Sequence, residues 1–208
     1  RSKLPRAAYI PFNPEEGFDP AVELAAAFLS HQGAASTAIV IVPQMQILNY
    51  SSRLQRFSQN RTVLTPQNAH QSRIGYGHPA LVYAPALKEL ELAQRYTRDQ
   101  PIAVVEDPSF SCAAWADEIG AINLVERQVH SVSRSADHQK LLERIDFAGN
   151  NGWGDAPGKR DLRRYLAELA EIGALNKEEI MAHQLVHGRH CHYKSLTYLS
   201  DEIDRASS

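Results

Sequence analysis

Cysteine is scarce in this chain, which has only Cys112 and Cys191 among its 208 residues. Two thiols cannot form the dense disulfide framework of small secreted domains, so we predict reduced thiols in a cytoplasmic protein, with one disulfide as the alternative. Long apolar runs are also missing, because no stretch approaches the roughly 20 residues that span a bilayer. The basic opening segment from 1 to 14 has no apolar stretch behind it, so we expect no signal peptide and no membrane partner.

Basic residues do not outnumber acidic ones either. The chain carries 22 Lys and Arg against 24 Asp and Glu, a net charge of −2. Non-specific nucleic-acid binding needs a concentrated basic surface, so the charge balance makes nucleic acid an unfavoured partner. With 43% apolar and 22% charged residues, the composition is typical of a soluble globular protein of one large domain, or a smaller one with an appendage.

Short apolar runs alternate with amphipathic segments over residues 1–128. The β-branched run TAIVIVP is typical of a strand buried on both faces. Segments with helical periodicity separate the runs, and one predicted helix extends from 44 to 60. The alternation predicts an α/β domain with a Rossmann-like, mostly parallel sheet of five to six strands flanked by helices. The predicted strands are AAYIP, TAIVIVP, RTVLT, ALVYA, PIAVVED and AINLV.

The pattern changes after the last of these strands. Residues 129–158 are polar and rich in Gly and Asn, which predicts a linker, a helical turn or two from Leu141, and then an exposed loop. Residues 159–208 have helical spacing, beginning with a stripe of Leu162, Leu166 and Leu169. We therefore predict a small C-terminal part of three helices.

Two segments resemble known proteins. The stretch from FAGNNGWGD through the helices after it, about the last third of the chain, resembles actinobacterial α/β proteins to which no activity is assigned. IVPQMQILNYSSRL and ALVYAPALKELELAQ resemble strand–helix units of RecA-like helicase domains. The nucleotide-binding motifs of those domains are missing here, so the resemblance does not imply ATPase activity.

Histidines cluster in HQLVHGRHCHYK, near the end of the chain. His183 and His187 lie four residues apart, so both face one side of a helix. Gln184 stands where a zinc metalloprotease needs its catalytic glutamate, which excludes that motif. A metal held by His183, His187 and either Cys191 or His192 is one interpretation. A solvated or helix-capping cluster without a cofactor is the favoured one, because the helix dipole stabilises positive charge at a helix C-terminus.

Polar side chains follow several predicted strands, where open α/β sheets bind ligands. Such side chains predict either the active site of an enzyme or a site that binds a ligand without catalysis. Asp107 precedes Pro108, however, and an aspartate there commonly opens a turn. The candidates are Glu106, Asp107 and His70 for catalysis, with Gln44, Gln67 and Asn68 for ligand binding.

Cys112 is a candidate nucleophile after the fifth predicted strand. At the start of a helix its thiol pKa could be lowered. Its spacing with Trp115 and Ile119 instead favours a small buried packing residue.

The Gly-rich stretch NNGWGDAPGKRD is not a phosphate-binding loop, since it lacks the GxxxxGK[ST] spacing and no buried strand precedes it. Its Trp153 has two interpretations: the ring anchors the loop to a core, or it meets a ligand or partner.

Three hypotheses for function follow. The leading one is a non-catalytic module that binds a protein partner or a small ligand. The second is a hydrolase-like enzyme acting on small molecules or nucleotides at the strand ends. The third is nucleic-acid binding through Lys159, Arg160 and Arg163 of the helical tail, although that basic run is also typical of a solvated helix flank.

Overall fold

The computed structural model describes residues 5–189 and 192–208, so Cys191 lies outside the described residues. The chain divides into two compact units, Arg1–Ser131 and Val132–Ser208. The first unit is an α/β sheet with flanking helices and the second is helical, which confirms the predicted fold class.

The sheet of the first unit has the strand order β3-β2-β4-β5-β1-β6-β7 over the described residues. Every neighbouring pair is parallel except β6 and β7, which run antiparallel. The seventh strand was not predicted, because its two exposed residues form no apolar run. The strands are β1 (Ala7–Ile10), β2 (Ile39–Ile41), β3 (Val63–Leu64), β4 (Ala80–Tyr83), β5 (Ile102–Val105), β6 (Ile122–Asn123) and β7 (Gln128–Val129).

The central strands β4, β5 and β1 are buried on both faces, as their continuous apolar sequences predict. Alternate residues of each strand, such as Ala8 and Ile10 of β1, join one core with the inner face of the first helix. The helices of this unit are α1 (Asp19–His31), α2 (Ser52–Ser58), α3 (Leu87–Thr97) and α4 (Ala113–Ile119).

The prediction of one continuous helix from 44 to 60 is wrong, because the segment is interrupted in the structure. A 3₁₀ turn at Met45–Tyr50 precedes α2, and Ser51 between them is extended. The Ser51 hydroxyl accepts a hydrogen bond from the Leu54 N–H and donates one to the Asp19 carboxylate. Because Ser51 caps α2 in this way, the helix begins there and not at Gln44.

The helical unit has four helices among its described residues, where three were predicted. They are α5 (Ala136–Ala148), α6 (Ala156–Glu171), α7 (Lys177–His187) and α8 (Tyr193–Ala206). Within the predicted linker of 129–158, the helical turn or two expected from Leu141 is the longer helix α5, which is capped by Ser135 and buries Leu141, Leu142 and Ile145. This narrow apolar stripe in a polar helix is a weak periodic signal.

Trp153 anchors the loop between α5 and α6, which decides between its two interpretations. Its ring is 1% exposed and its indole N–H donates to the Ile145 carbonyl at 2.8 Å. A Cβ added to Gly149 would lie 2.4 Å from the indole ring. Glycine is therefore required where the loop backbone crosses the tryptophan face.

We expect Gly149→Ala to lower the free energy of unfolding by about 1–3 kcal/mol, because the methyl group overlaps the ring. Urea denaturation would measure the loss. Gly154→Ala is the matched control, since a Cβ there meets nothing within 4 Å, and its effect should stay within about 0.5 kcal/mol. Equal effects of the two substitutions would contradict the anchoring role.

Candidate functional site

The strand order separates the residues predicted to form a strand-end site. Gln67, Asn68 and His70 follow edge strand β3, whereas Glu106 and Asp107 follow β5. Strands β2 and β4 lie between them, a separation of about 14 Å at the usual strand spacing. The two groups are therefore not brought together. Gln44, after β2, is exposed.

The polar loop after β3 satisfies its own hydrogen bonds. The Asn68 side chain accepts from the Thr65 N–H at 2.8 Å and donates to the Val63 carbonyl at 3.2 Å. The Thr65 hydroxyl in turn accepts from the Asn68 N–H at 3.1 Å. Asn68 thus stabilises a turn, while Gln67 and His70 are exposed beside it.

Glu106 is a structural carboxylate at the end of β5. Its Oε2 accepts hydrogen bonds from the Tyr9 hydroxyl and from the Cys112 N–H, the latter at 2.9 Å. Its Oε1 accepts from the Phe12 N–H at 3.3 Å. Burial and the bond to Glu106 raise the pKa of the Tyr9 phenol far above its usual value. The carboxylate therefore ties β1 and the start of α4 to β5.

Tyr9 also connects this carboxylate to residues that the sequence analysis missed. Its ring meets the His130 ring edge-on, with centroids 5.4 Å apart. His130 Nδ1 lies 2.7 Å from the Asp117 Oδ1. No spacing in the sequence signals this chain of contacts, because the fold brings Tyr9 next to His130, 121 positions away.

Cys112 packs in the core and Asp107 opens a turn, which are the structural alternatives to the catalytic roles considered for them. Cys112 is fully buried, and burial, with the Glu106 and Asp107 carboxylates nearby, raises the pKa of its thiol well above the usual range. It is therefore a protonated packing residue at neutral pH. Asp107 accepts hydrogen bonds from the Ser109 N–H at 2.8 Å and from the Ser109 hydroxyl, as a turn opener does.

A small cleft lies at the carboxyl ends of β1 and β5. Its walls are mostly apolar, with Glu16 and Glu106 as charged members. The space open to water-sized molecules is only about 20 Å³, close to the volume that one water needs. This cleft is therefore too small for a small-molecule substrate, which generally fills a pocket of about 300 Å³ or more.

A larger groove lies on the helical unit, at the C-terminal end of α5. Its volume is about 350 Å³, and Phe147 projects beside it with 86% of the side chain exposed. The Asp146 carboxylate accepts from the Arg189 N–H at 3.3 Å. Glu143 accepts from the Gln139 amide at 2.9 Å. The groove is lined by Glu143, Asp146, Phe147, Asn150 and Arg189.

Two of the four candidate metal ligands lie together on α7. The rings of His183 and His187 have centroids 5.0 Å apart, and a nitrogen of each lies within 4.8 Å of the other. His192 is the exposed N-cap residue of α8, and Cys191 lies outside the described residues. Among the described candidates, His183 and His187 are thus the pair that could hold a metal.

The basic residues of α6 form ion pairs and ring contacts. Arg163 donates to both carboxylate oxygens of Glu202, at 2.9 and 3.3 Å. Arg160 lies 3.5 Å from Asp161, and Lys159 lies 5.9 Å from the Tyr198 ring. A phosphate backbone would have to compete with these partners.

Comparison with protein-family models, curated proteins and solved structures finds no match for this chain. Among the residues that the structure describes, no helix combines the length and apolarity needed to cross a membrane.

We expect Tyr9→Phe to lower the free energy of unfolding by about 1–2 kcal/mol, because Glu106 loses a hydrogen-bond donor in a part-buried site. Tyr50→Phe is the matched control, since Tyr50 is 79% exposed. Guanidinium denaturation of both variants would measure the difference. A Tyr9→Phe variant as stable as the control would show that the hydroxyl does not stabilise the fold.

Glu202→Gln should lower stability at pH 7 by about 1 kcal/mol. The Arg163 hydrogen bonds lower the pKa of the Glu202 carboxyl from its ordinary value of 4.5, against the opposite effect of burial. The ionised Glu202 carboxylate therefore stabilises the fold fully above pH 4.5. This stabilisation is lost as the pH falls through the lowered pKa that Glu202 has in the folded state.

Urea unfolding at neutral and strongly acidic pH measures this dependence. The difference between Glu202→Gln and the unmodified chain should shrink on acidification. Glu168→Gln serves as the control, because its carboxylate is 40% exposed and 4.0 Å from Arg164. A difference that does not change with pH would refute an ionised Glu202 as its source.

Proposed function

We propose that this chain is a non-catalytic binding module whose partner is a protein segment with an apolar side chain next to a basic one. The exposed Phe147 beside the 350 Å³ groove carries the proposal. Aromatic side chains beside a pocket and rimmed by polar groups are typical centres of protein interfaces.

The charges of the groove support the chemistry of this partner. Glu143 and Asp146 place two carboxylates on the lining, against one guanidinium from Arg189. A basic side chain of the partner would complement the excess negative charge. An apolar side chain next to it would cover Phe147 and remove its ring from water.

Several polar side chains at the strand ends already have hydrogen-bond partners within the protein, which favours a binding role over a catalytic one. The Glu106 carboxylate accepts three hydrogen bonds, and the other strand-end candidates lie apart from it or in their own turns. A general base needs a lone pair within reach of a substrate, and the cleft beside Glu106 has about 20 Å³ of space. A buried, protonated Cys112 accords with a cytoplasmic setting.

A photo-crosslinking phenylalanine analogue at position 147, introduced in the source cells, would test the proposal. The crosslinked protein is identified, purified and titrated with this chain. Phe147→Ala should weaken binding by at least about tenfold, because an interface-centre aromatic contributes at least about 1.4 kcal/mol.

Ile172→Ala is the matched control, since Ile172 is also on the helical unit and 51% exposed. It should keep the affinity within about twofold. Equal affinity of the Phe147→Ala variant and the unmodified chain would refute the groove as the binding surface. Adding salt should weaken binding, as a basic partner segment requires.

A further inference from the structure

The last two turns of α7 present two imidazoles on one face. His183 is 2% exposed and His187, one turn later, is exposed. Their ring centroids are 5.0 Å apart, with the ring planes tilted by 52°. One imidazole is therefore held by the fold, while the other is accessible from solvent.

This arrangement is close to what a shared metal ion requires. Zinc binds imidazole nitrogens at about 2.0–2.1 Å in tetrahedral geometry, so two such nitrogens lie about 3.4 Å apart. The nearest pair of nitrogens here lies within 4.8 Å. Because His187 is exposed and His183 is buried, His187 is the side chain that would rotate to close this difference.

The position in the helix also favours a cation. His187 is the last residue of α7, where the carbonyl groups of the helix end carry partial negative charge. A divalent ion at that end gains from this dipole. Imidazole donors prefer zinc, copper and nickel to magnesium or calcium.

We propose that His183 and His187 bind a zinc ion at the C-terminal end of α7, with water or further donors completing the coordination. The ion would join the last two turns of α7 and resist their fraying. This site shares no residue with the Phe147 groove and stands independently of the proposed function.

Calorimetric titration of the untagged, chelator-treated full chain with zinc chloride tests the site. We expect one equivalent to bind, and His187→Ala to weaken that binding by at least about tenfold, as loss of a ligand should. Because His187 is exposed, this variant should fold, and circular dichroism checks that it does. His31→Ala is the matched control, a single exposed histidine in the last turn of α1.

Cobalt(II) gives a second readout. Coordination of cobalt by both imidazoles should produce visible absorption, which should be lost when zinc displaces the cobalt. The absorption should be absent in His187→Ala and unchanged in His31→Ala. His183→Asn, which keeps a polar side chain in the buried position, should lose the same absorption. The proposal is overturned if zinc does not bind, if His187→Ala binds it as tightly as the control, or if magnesium competes equally.

Discussion

The hydrogen bonds of Glu106 are the interaction on which the carboxyl edge of the sheet depends. Strand β5 lies between β4 and β1 at the centre of the sheet, so a carboxylate at its end is partly removed from water and needs partners. Tyr9 from β1, together with the backbone N–H groups of Phe12 and Cys112, supplies them. One side chain thereby links the end of β5 to β1 and to the start of α4. The three hydrogen bonds occupy most of the acceptor positions of this carboxylate.

The helical unit depends in the same way on Trp153. The indole packs over Gly149 and donates to Ile145, which closes the connection between α5 and α6. With the large aromatic inside, Phe147 on the neighbouring turn of α5 faces solvent. The buried Trp153 ring stabilises the fold, whereas most of the Phe147 ring stays in contact with water.

Much of the fold could be predicted from local patterns. TAIVIVP and PIAVVED carry the β-branched runs of strands buried on both faces, and β2 and β5 lie within them. Helix α5 was predicted only as a helical turn or two from Leu141, because its apolar stripe is narrow, and β7 was missed because two exposed residues make no pattern. The candidate groups were harder to predict. The local sequence around Asn68 and Asp107 is compatible both with lining a pocket and with closing a turn. Their hydrogen-bond partners in the structure show that both residues close turns.

The sequence by itself determined the alternation of strands and helices, the helical character of the tail and the presence of His183 and His187 on one helical face. These properties depend on residues within a few positions of one another, through the 2.0 and 3.6 residue periods. Only the tertiary structure decided the strand order, and with it the separation of His70 from Glu106 and the meeting of Tyr9 with His130. Those outcomes depend on contacts between distant segments, whose free energy is a sum over the whole core and leaves no local trace in the sequence.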